Sequence, residues 1–233
     1  ERTLRTGQGA EAKTISADQI VLAAGSRPFI PQEIIDSGVH YHTNEDIMRL
    51  ASQPKSIVII GGGYIAMEFA HVFEALGTKV TILARSELMR HLDADLREPF
   101  NQLAAERYDV RMGRTVASAV QESDGVLLTL DDGSTASAEV LLVATGRVPN
   151  GDQLDLQNAG IASDDGQVSV DEYGRSTSAE GVWALGDISS PFQLKHVANA
   201  EMRAVRHNLL NPQDMVKMPH EHVPAAVFTH PQI

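Results

Sequence analysis

The stretch IVIIGGGYIAMEFA at 57–70 joins an apolar strand to an amphipathic helix through three consecutive glycines. The four β-branched residues at 57–60 are typical of a strand that is buried on both faces of a parallel sheet. Gly61 permits a tight turn, Gly63 lets a pyrophosphate approach the backbone, and the small Ala66 lets the helix pack closely on the strand. The spacing predicts a dinucleotide-binding site at the helix N-terminus. The alternative is a glycine turn that only packs a strand on a helix.

The sequence KVTILAR at 79–85 predicts the next strand, and the residues at its end indicate which nucleotide is preferred. In such sites a side chain about 20 residues after the first glycine contacts the adenosine ribose, and a carboxylate there favours NAD. Arg85 lies at this point instead and Arg90 follows it, so the positive charge favours the 2′-phosphate of NADPH. Glu87 lies between the two arginines and could pair with either. The alternative is that both arginines are ordinary surface charges.

The composition excludes several classes of function. The chain has 31 acidic and 19 basic side chains, and its net charge of −12 would repel nucleic acid. No apolar run approaches the roughly 20 residues that span a bilayer, so we expect no membrane partner. The chain has no cysteine, which leaves it without a disulfide framework or a thiol nucleophile. It begins ERTLRTG, without a methionine or a signal peptide, and we expect a fragment of a cytoplasmic protein.

The order of the predicted elements indicates an α/β fold with a Rossmann-like parallel sheet and an antiparallel three-stranded meander. A polar hairpin is predicted at 1–20, with its turn at 7–9. The other predicted elements are a short helix at 45–50, a helix at 93–108, meander strands near 110–120, 125–130 and 138–144, a buried strand at 181–187 and a helix at 195–210.

Four motifs in a fixed order resemble one known family: VLAAGSRP at 21–28, GGGYIA at 61–66, ATGRVPN at 144–150 and WALGD at 183–187. Together they resemble the pyridine nucleotide-disulfide oxidoreductases, over essentially the whole chain. The resemblance implies a homodimeric flavoprotein in which hydride passes from NADPH to FAD and electrons pass on to a disulfide. The implied substrate is a small-molecule disulfide, and mycothione is the one that the resemblance favours.

The same resemblance divides the chain into segments. Residues 1–40 correspond to the C-terminal part of the first FAD-domain segment, and residues 41–150 to the NADPH-binding domain. Residues 151–220 return to the FAD domain, and residues 221–233 begin the interface domain that forms the dimer. The cysteine pair and the acid histidine of the family belong to other regions. We therefore expect the chain alone to be catalytically incompetent, to bind NADPH weakly and to bind FAD hardly at all.

The resemblance also implies roles for particular residues. Tyr64 corresponds to the catalytic gate that covers the flavin until nicotinamide displaces it, and Glu68 to the catalytic partner of a flavin-side lysine. Asp187 corresponds to the aspartate that binds the ribityl chain of FAD, and residues 195–198 to a helix N-terminus beside the flavin. The respective alternatives for Tyr64, Glu68 and Asp187 are interdomain packing, a solvated acid in the first helical turn and a simple turn residue. Arg147 could contact the cofactor or only cap its turn. The predicted cofactor-binding set is Gly25, Gly61, Gly63, Tyr64, Ile65, Ala66, Arg85, Arg90, Gly146, Arg147, Asp187, His196, Val197 and Ala198.

Other functions stay open at the level of sequence. A thiol-free flavoprotein of the ferredoxin reductase or nitrite reductase type shares these motifs, and a stand-alone nucleotide-binding module needs only the glycine turn. His220, Glu221 and His222 together suggest a metal site. No further ligands recur at useful spacing, so we expect no metal.

Overall fold

The computed structural model describes residues 3–7 and 9–233. The chain forms two compact units. The nucleotide unit consists of residues 28–147 and 225–233, and the flanking unit consists of residues 148–224 together with those up to 27. The assignment of NADPH- and FAD-domain roles to segments of the sequence stays a prediction.

Fifteen strands and four α-helices are found among the described residues. The strands are β1 Thr3–Thr6, β2 Lys13–Ser16, β3 Ile20–Leu22, β4 Ser26–Pro28, β5 Ser56–Ile60, β6 Lys79–Ala84, β7 Asp109–Met112, β8 Val116–Glu122, β9 Gly125–Leu130, β10 Thr135–Ala138, β11 Val140–Val143, β12 Arg147–Pro149, β13 Ser163–Asp164, β14 Gln167–Val168 and β15 Val182–Ala184. The α-helices are α1 Gln32–Ser37, α2 Tyr64–Ala75, α3 Ala94–Arg107 and α4 Lys195–Leu210. Short 3₁₀ turns are found at Gly9–Glu11, Ile47–Arg49, Asn150–Gln153, Leu156–Ala159 and Gly186–Ile188.

The core of the nucleotide unit is a parallel sheet with the strand order β11-β5-β6-β7. Its register pairs Ile57 of β5 with Val80 on one side and with Val140 on the other. Ile57, Val58 and Ile59 are fully buried, as the succession of β-branched residues predicts. Burial of each such side chain contributes about 1.5–3 kcal/mol. The sheet confirms the predicted α/β fold class.

The two faces of β5 are covered by different elements, because successive side chains of a strand point to opposite faces. Ile57 and Ile59 pack in one apolar cluster with Ala66 and Met67 of α2. Val58 packs in a second cluster with Leu128 of β9. A helix therefore covers one face of the sheet, and the antiparallel strands cover the other.

The antiparallel sheet has the order β10-β9-β8, so the predicted three-stranded meander is present. For two of the three runs predicted to form the meander, the assignment to this sheet was wrong in whole or in part. The run at 110–120 is interrupted at Gly113, where φ is +67°, and it supplies both β7 of the parallel sheet and β8 of the meander. The run at 138–144 contains β11 of the parallel sheet, while the third meander strand is β10. The sequence VLLV of β11 suits burial on both faces, whereas the TASA of β10 gives little strand signal.

The ends of two helices can be traced to individual residues. The side chain of Asp93 accepts from the N–H of Asp95 at 2.9 Å and so caps α3. The turn after α2 includes Gly77, where φ is +92°, which suits a glycine that ends a helix. The short helix predicted at 45–50 is a 3₁₀ turn instead, and α1 was not predicted.

The flanking unit contains the predicted hairpin, formed by β1 and β2. Its predicted turn at 7–9 includes residue 8, which lies outside the described residues. Strand β3 pairs in parallel with β15, with Ile20 opposite Val182, so the carboxyl ends of the two strands meet at one edge. Strand β15 lies within the stretch predicted at 181–187, and α4 follows it.

Candidate functional site

Gly61 opens the turn between β5 and α2 at a position that admits no side chain. Its φ is +133°, and a Cβ atom there would lie 2.1 Å from the carbonyl oxygen of Ala144. Its N–H donates to the carbonyl oxygen of Leu83 at 2.9 Å. The glycine is therefore required by the close approach of its neighbouring segments as well as by the turn.

Gly63 leaves open space in front of α2. A Cβ atom at Gly63 would meet no atom within 4 Å, and the φ of −87° is accessible to any residue. Gly63 is the N-cap of α2, which has neither a side-chain cap nor an acidic residue in its first turn. The positive end of the dipole of this 12-residue helix thus has no carboxylate beside it and favours a phosphate.

The first turn of α2 contains the other predicted residues of the fingerprint. Tyr64 is 37% exposed, Ile65 is half-buried and Ala66 is fully buried against β5. One turn further, Glu68 Oε1 accepts from the backbone N–H of Phe228 at 3.1 Å. This contact to the last segment of the chain was not visible in the sequence, and the role predicted for Glu68 stays a prediction.

Arg85 directly follows β6, which is the neighbour of β5 in the parallel sheet, so it lies at the same edge as the glycine turn. Arg85 and Arg90 are both exposed. Arg85 makes no ion pair with any described residue, and Arg90 Nε donates to His91 Nε2 at 3.1 Å. Glu87 pairs with neither of them, because its Oε2 lies 2.8 Å from Nε of Arg97 on α3.

Gly146 and Arg147 follow β11 at the carboxyl edge of the same sheet. The carbonyl oxygen of Gly146 accepts from the N–H of Phe29 at 2.9 Å. Arg147 Nη1 donates to Oδ1 of Asn44 at 3.3 Å. The structure thus gives Arg147 a contact within the protein, and its predicted contact with cofactor stays a prediction.

The flanking unit brings together two of the predicted motifs. Ser26, next to Gly25, donates its hydroxyl hydrogen to Asp187 Oδ2 at 2.6 Å, although the two residues are 161 positions apart. Gly25 and Gly186 both have positive φ, of +66° and +72°. The parallel pairing of β3 with β15 explains the encounter, because both strands end at this edge. Sequence reasoning missed Ser26, whose role depends on that pairing.

The N-terminus of α4 lies beside the same turn, since a Cβ atom on Gly186 would be 3.5 Å from the Cβ of Ala198. His196 Nε2 lies 2.8 Å from the carbonyl oxygen of Pro224. Val197 is buried, so it can offer a cofactor only its backbone. The predicted segment 195–198 therefore begins a helix next to the turn that contains Asp187. Its side chains have different surroundings: His196 contacts Pro224, Val197 is buried and Ala198 lies beside Gly186.

A buried carboxylate that the sequence did not indicate supports this turn. Glu201 of α4 is fully buried, and its Oε2 accepts from the N–H of Gly186 at 2.6 Å. Its Oε1 lies 2.6 Å from His220 Nε2. The imidazole of His220 is therefore hydrogen-bonded to a buried carboxylate. Among the described residues no group of three or more His, Cys, Asp or Glu side chains could hold a metal ion.

None of the described helices has the length and apolarity that crossing a membrane requires.

Comparison with known proteins gives a consistent result. The family model described as pyridine nucleotide-disulphide oxidoreductase matches residues 1–204. Mycothione reductase of Mycobacterium tuberculosis (strain ATCC 25618 / H37Rv) is 54% identical over 235 residues, which cover 99% of this chain and 50% of that protein. Glutathione reductase of Burkholderia cepacia is 35% identical over 94% of this chain and 49% of its own length. The chain therefore spans about half the length of these curated relatives.

The fold comparison agrees. The HOCl-induced flavoprotein disulfide reductase RclA of Escherichia coli has a TM-score of 0.88 at 26% identity, over 99% of this chain and 53% of that one. LpdA of Mycobacterium tuberculosis has a TM-score of 0.84 at 26% identity, over 95% of this chain and 49% of that one. The match of the family model over most of the sequence shows that the chain belongs to the pyridine nucleotide-disulphide oxidoreductase family.

Proposed function

We propose that this chain contains the NADPH-binding part of an NADPH-oxidising flavoprotein disulfide reductase, together with segments of its FAD domain. One observation carries the proposal. The uncapped N-terminus of α2, reached through Gly63, lies at the same sheet edge as Arg85, which follows the neighbouring strand. This arrangement suits a pyrophosphate at the helix and a 2′-phosphate at the arginine.

The chemistry of the residues present fits NADPH. The first turn of α2 offers backbone N–H groups to phosphate, and no acidic residue in that turn opposes a negative ligand. Arg85 and Arg90 offer guanidinium groups, which bind phosphate through two parallel hydrogen bonds. A hydrogen bond to a charged group contributes about 1.5–3 kcal/mol, which corresponds to a roughly tenfold to hundredfold gain in affinity.

Bound NADPH would supply a hydride, and bound FAD would supply the two-electron chemistry that connects this hydride to reduction of a disulfide. The residues of this chain bind and orient. The helix N-terminus and Arg85 hold the nucleotide at its phosphates. Tyr64 is the first residue of α2 and is 37% exposed, which supports a side chain that covers the flavin and turns aside for nicotinamide. Glu68 lies on the same helix, and we propose it as the partner of a flavin-side lysine.

The residues of the flanking unit fit part of an FAD site. The carboxylate of Asp187 is partly buried and is oriented by the hydroxyl of Ser26. An oriented carboxylate suits the acceptance of a hydrogen bond from the ribityl chain. The N-terminus of α4, next to Gly186, suits the flavin pyrimidine. Weak binding of FAD by this chain alone stays a prediction.

The substrate class that we propose is a small-molecule disulfide, and mycothione is the best candidate. The support is the 54% identity with a mycothione reductase, against 35% with a glutathione reductase. These relatives favour a disulfide reductase over a thiol-free flavoprotein. A homodimeric parent protein in the cytoplasm is proposed from the family resemblance.

Isothermal titration calorimetry of the 233-residue chain, which measures the Kd of NADPH and of NADH, tests the proposal. We expect NADPH to bind at least tenfold more tightly than NADH. We expect Arg85→Gln to weaken NADPH binding about tenfold to hundredfold and NADH binding less than twofold. Equal affinity for the two nucleotides contradicts the 2′-phosphate assignment, and a lack of binding of either contradicts the nucleotide site itself.

A further inference from the structure

The arginine loop, residues 85–92, is held by side chains of α3. Asn101 binds both backbone groups of Leu88: its Oδ1 accepts from the N–H at 3.0 Å, and its Nδ2 donates to the carbonyl oxygen at 3.1 Å. The side chain of Leu88 is fully buried beneath the loop. Asn101 thus fixes the middle of the loop through both the N–H and the carbonyl group of one residue.

Arg97 lies one helical turn before Asn101 and holds three further points of the loop. Its Nη1 donates to the carbonyl oxygens of Arg90 and Leu92 at 3.5 and 3.4 Å. Its Nε lies 2.8 Å from Glu87 Oε2. The Nε is buried and its N–H does not point at that oxygen, so the contact with Glu87 is an ion pair and not a hydrogen bond.

The loop is also attached to the glycine turn. The N–H of Met89 donates to the carbonyl oxygen of Gly62 at 2.7 Å. Met89 has a φ of +52°, an uncommon value for a residue with a side chain. The position of Arg85 and Arg90 relative to the phosphate-binding turn is therefore set by backbone contacts on one side and by α3 on the other.

Glu87 is the residue of this loop whose negative charge disfavours the binding of NADPH. It lies two positions after Arg85 and three before Arg90, and its side chain is 59% exposed. A free carboxylate here would pair with the arginines or repel a 2′-phosphate. It would also accept a hydrogen bond from the 2′-hydroxyl of NADH, as a carboxylate does in NAD sites. Arg97 supplies the positive charge that balances it.

We propose that Arg97 is a positioning residue that sets the preference for NADPH over NADH, by holding the carboxylate of Glu87 away from Arg85 and Arg90. The proposal rests on the proposed function, because it takes the arginine loop as the 2′-phosphate site. Arg97 does not touch the nucleotide. Asn101 and the backbone of Met89 still hold the loop when Arg97 is replaced. The effect of Arg97 on selectivity therefore passes through Glu87, and a substitution of Glu87 should abolish it.

The test is a double-mutant cycle on the 233-residue chain, with the Kd of NADPH and of NADH measured by titration calorimetry. Arg97→Gln should lower the ratio of the NADH Kd to the NADPH Kd about tenfold. Glu87→Gln alone should change the Kd of NADPH less than twofold, because Arg97 already balances that charge. In the chain with both substitutions the ratio should return to within twofold of the Glu87→Gln value.

The matched control is Arg107→Gln, since Arg107 lies on the same helix and pairs with Glu74, outside the loop. It should leave the ratio unchanged. An unchanged ratio in Arg97→Gln, an equal loss of both affinities, or no recovery in the double variant overturns the inference alone. If Arg97→Gln does not fold, Glu87→Gln decides. A change of less than twofold in NADPH affinity supports the inference, and a gain of twofold or more means that Glu87 was not held away. Failure of the unsubstituted chain to bind either nucleotide overturns the proposed function and this inference with it.

Discussion

The carbonyl oxygen of Ala144 approaches Gly61 so closely that a Cβ atom on Gly61 would lie 2.1 Å from it. A Cβ atom on Gly63, two residues later, would have no such neighbour within 4 Å. The two glycines of one fingerprint therefore have different roles. Gly61 lets the strands and the following turn come together, whereas Gly63 keeps space in front of a helix N-terminus.

Substitution of these two glycines should separate stability from binding. We expect Gly61→Ala to lower the free energy of unfolding by about 2–5 kcal/mol, because it adds a clash to a φ that alanine rarely adopts. Gly63→Ala should change stability by less than about 1 kcal/mol and weaken NADPH binding. Urea unfolding and calorimetry measure the two effects. Equal stability of the two variants would show that the approach of Ala144 does not matter.

Glu201 should be important for the stability of the flanking unit. Its replacement by alanine leaves the N–H of Gly186 and the ring of His220 without their acceptor, which should cost about 2–4 kcal/mol. The exposed Glu180 is the control, and Glu180→Ala should cost less than about 0.5 kcal/mol. Thermal unfolding of both variants measures the difference. A Glu201→Ala chain as stable as the control contradicts the assigned contacts.

Asp171 should make stability depend on pH. Burial raises the pKa of its carboxyl, but hydrogen bonds from the backbone of Arg175 and Tyr173 and from the Arg175 side chain bring the pKa below its ordinary value. A depressed pKa stabilises the fold at pH values above about 4, and this contribution is lost as the pH falls through the folded-state pKa.

The measurement for Asp171 is urea unfolding of the unsubstituted chain and of Asp171→Asn at pH 7 and near pH 3. We expect the variant to be about 1 kcal/mol less stable at pH 7, with the difference much smaller at the acid pH. Asp124→Asn, at an exposed position in the turn after β8, should have almost no effect at pH 7. A difference that stays constant with pH contradicts the account.

The spacing of the glycines was sufficient to predict the strand, the turn and the helix, because each depends on local backbone requirements. The sheet to which a strand belongs was harder to predict. Strand β11 is apolar throughout, and the run that contains it was assigned to the meander, although β11 pairs with β5. Strand β10 was missed because its small and polar residues form a strand through pairing with β9 and not through local preference.

The set of predicted site residues was incomplete for a similar reason. Arg85 could be identified because it lies at a fixed distance from Gly61 along the chain. The partner of Glu87 could not, because its pairing with Arg97 depends on how α3 packs against the loop. The contact between Ser26 and Asp187 joins residues 161 positions apart and follows from the pairing of β3 with β15.

In the proposed complex, NADPH binds at the N-terminus of α2 with its 2′-phosphate at Arg85. A ¹⁵N–¹H NMR titration of the chain with NADPH tests this arrangement residue by residue, since it reports each backbone amide. We expect the largest shifts at 61–65 and at 85–90, with those at 85–90 much smaller when NADH is used. Shifts centred on the turn at Gly186, or identical shifts with NADPH and NADH, would contradict the claim.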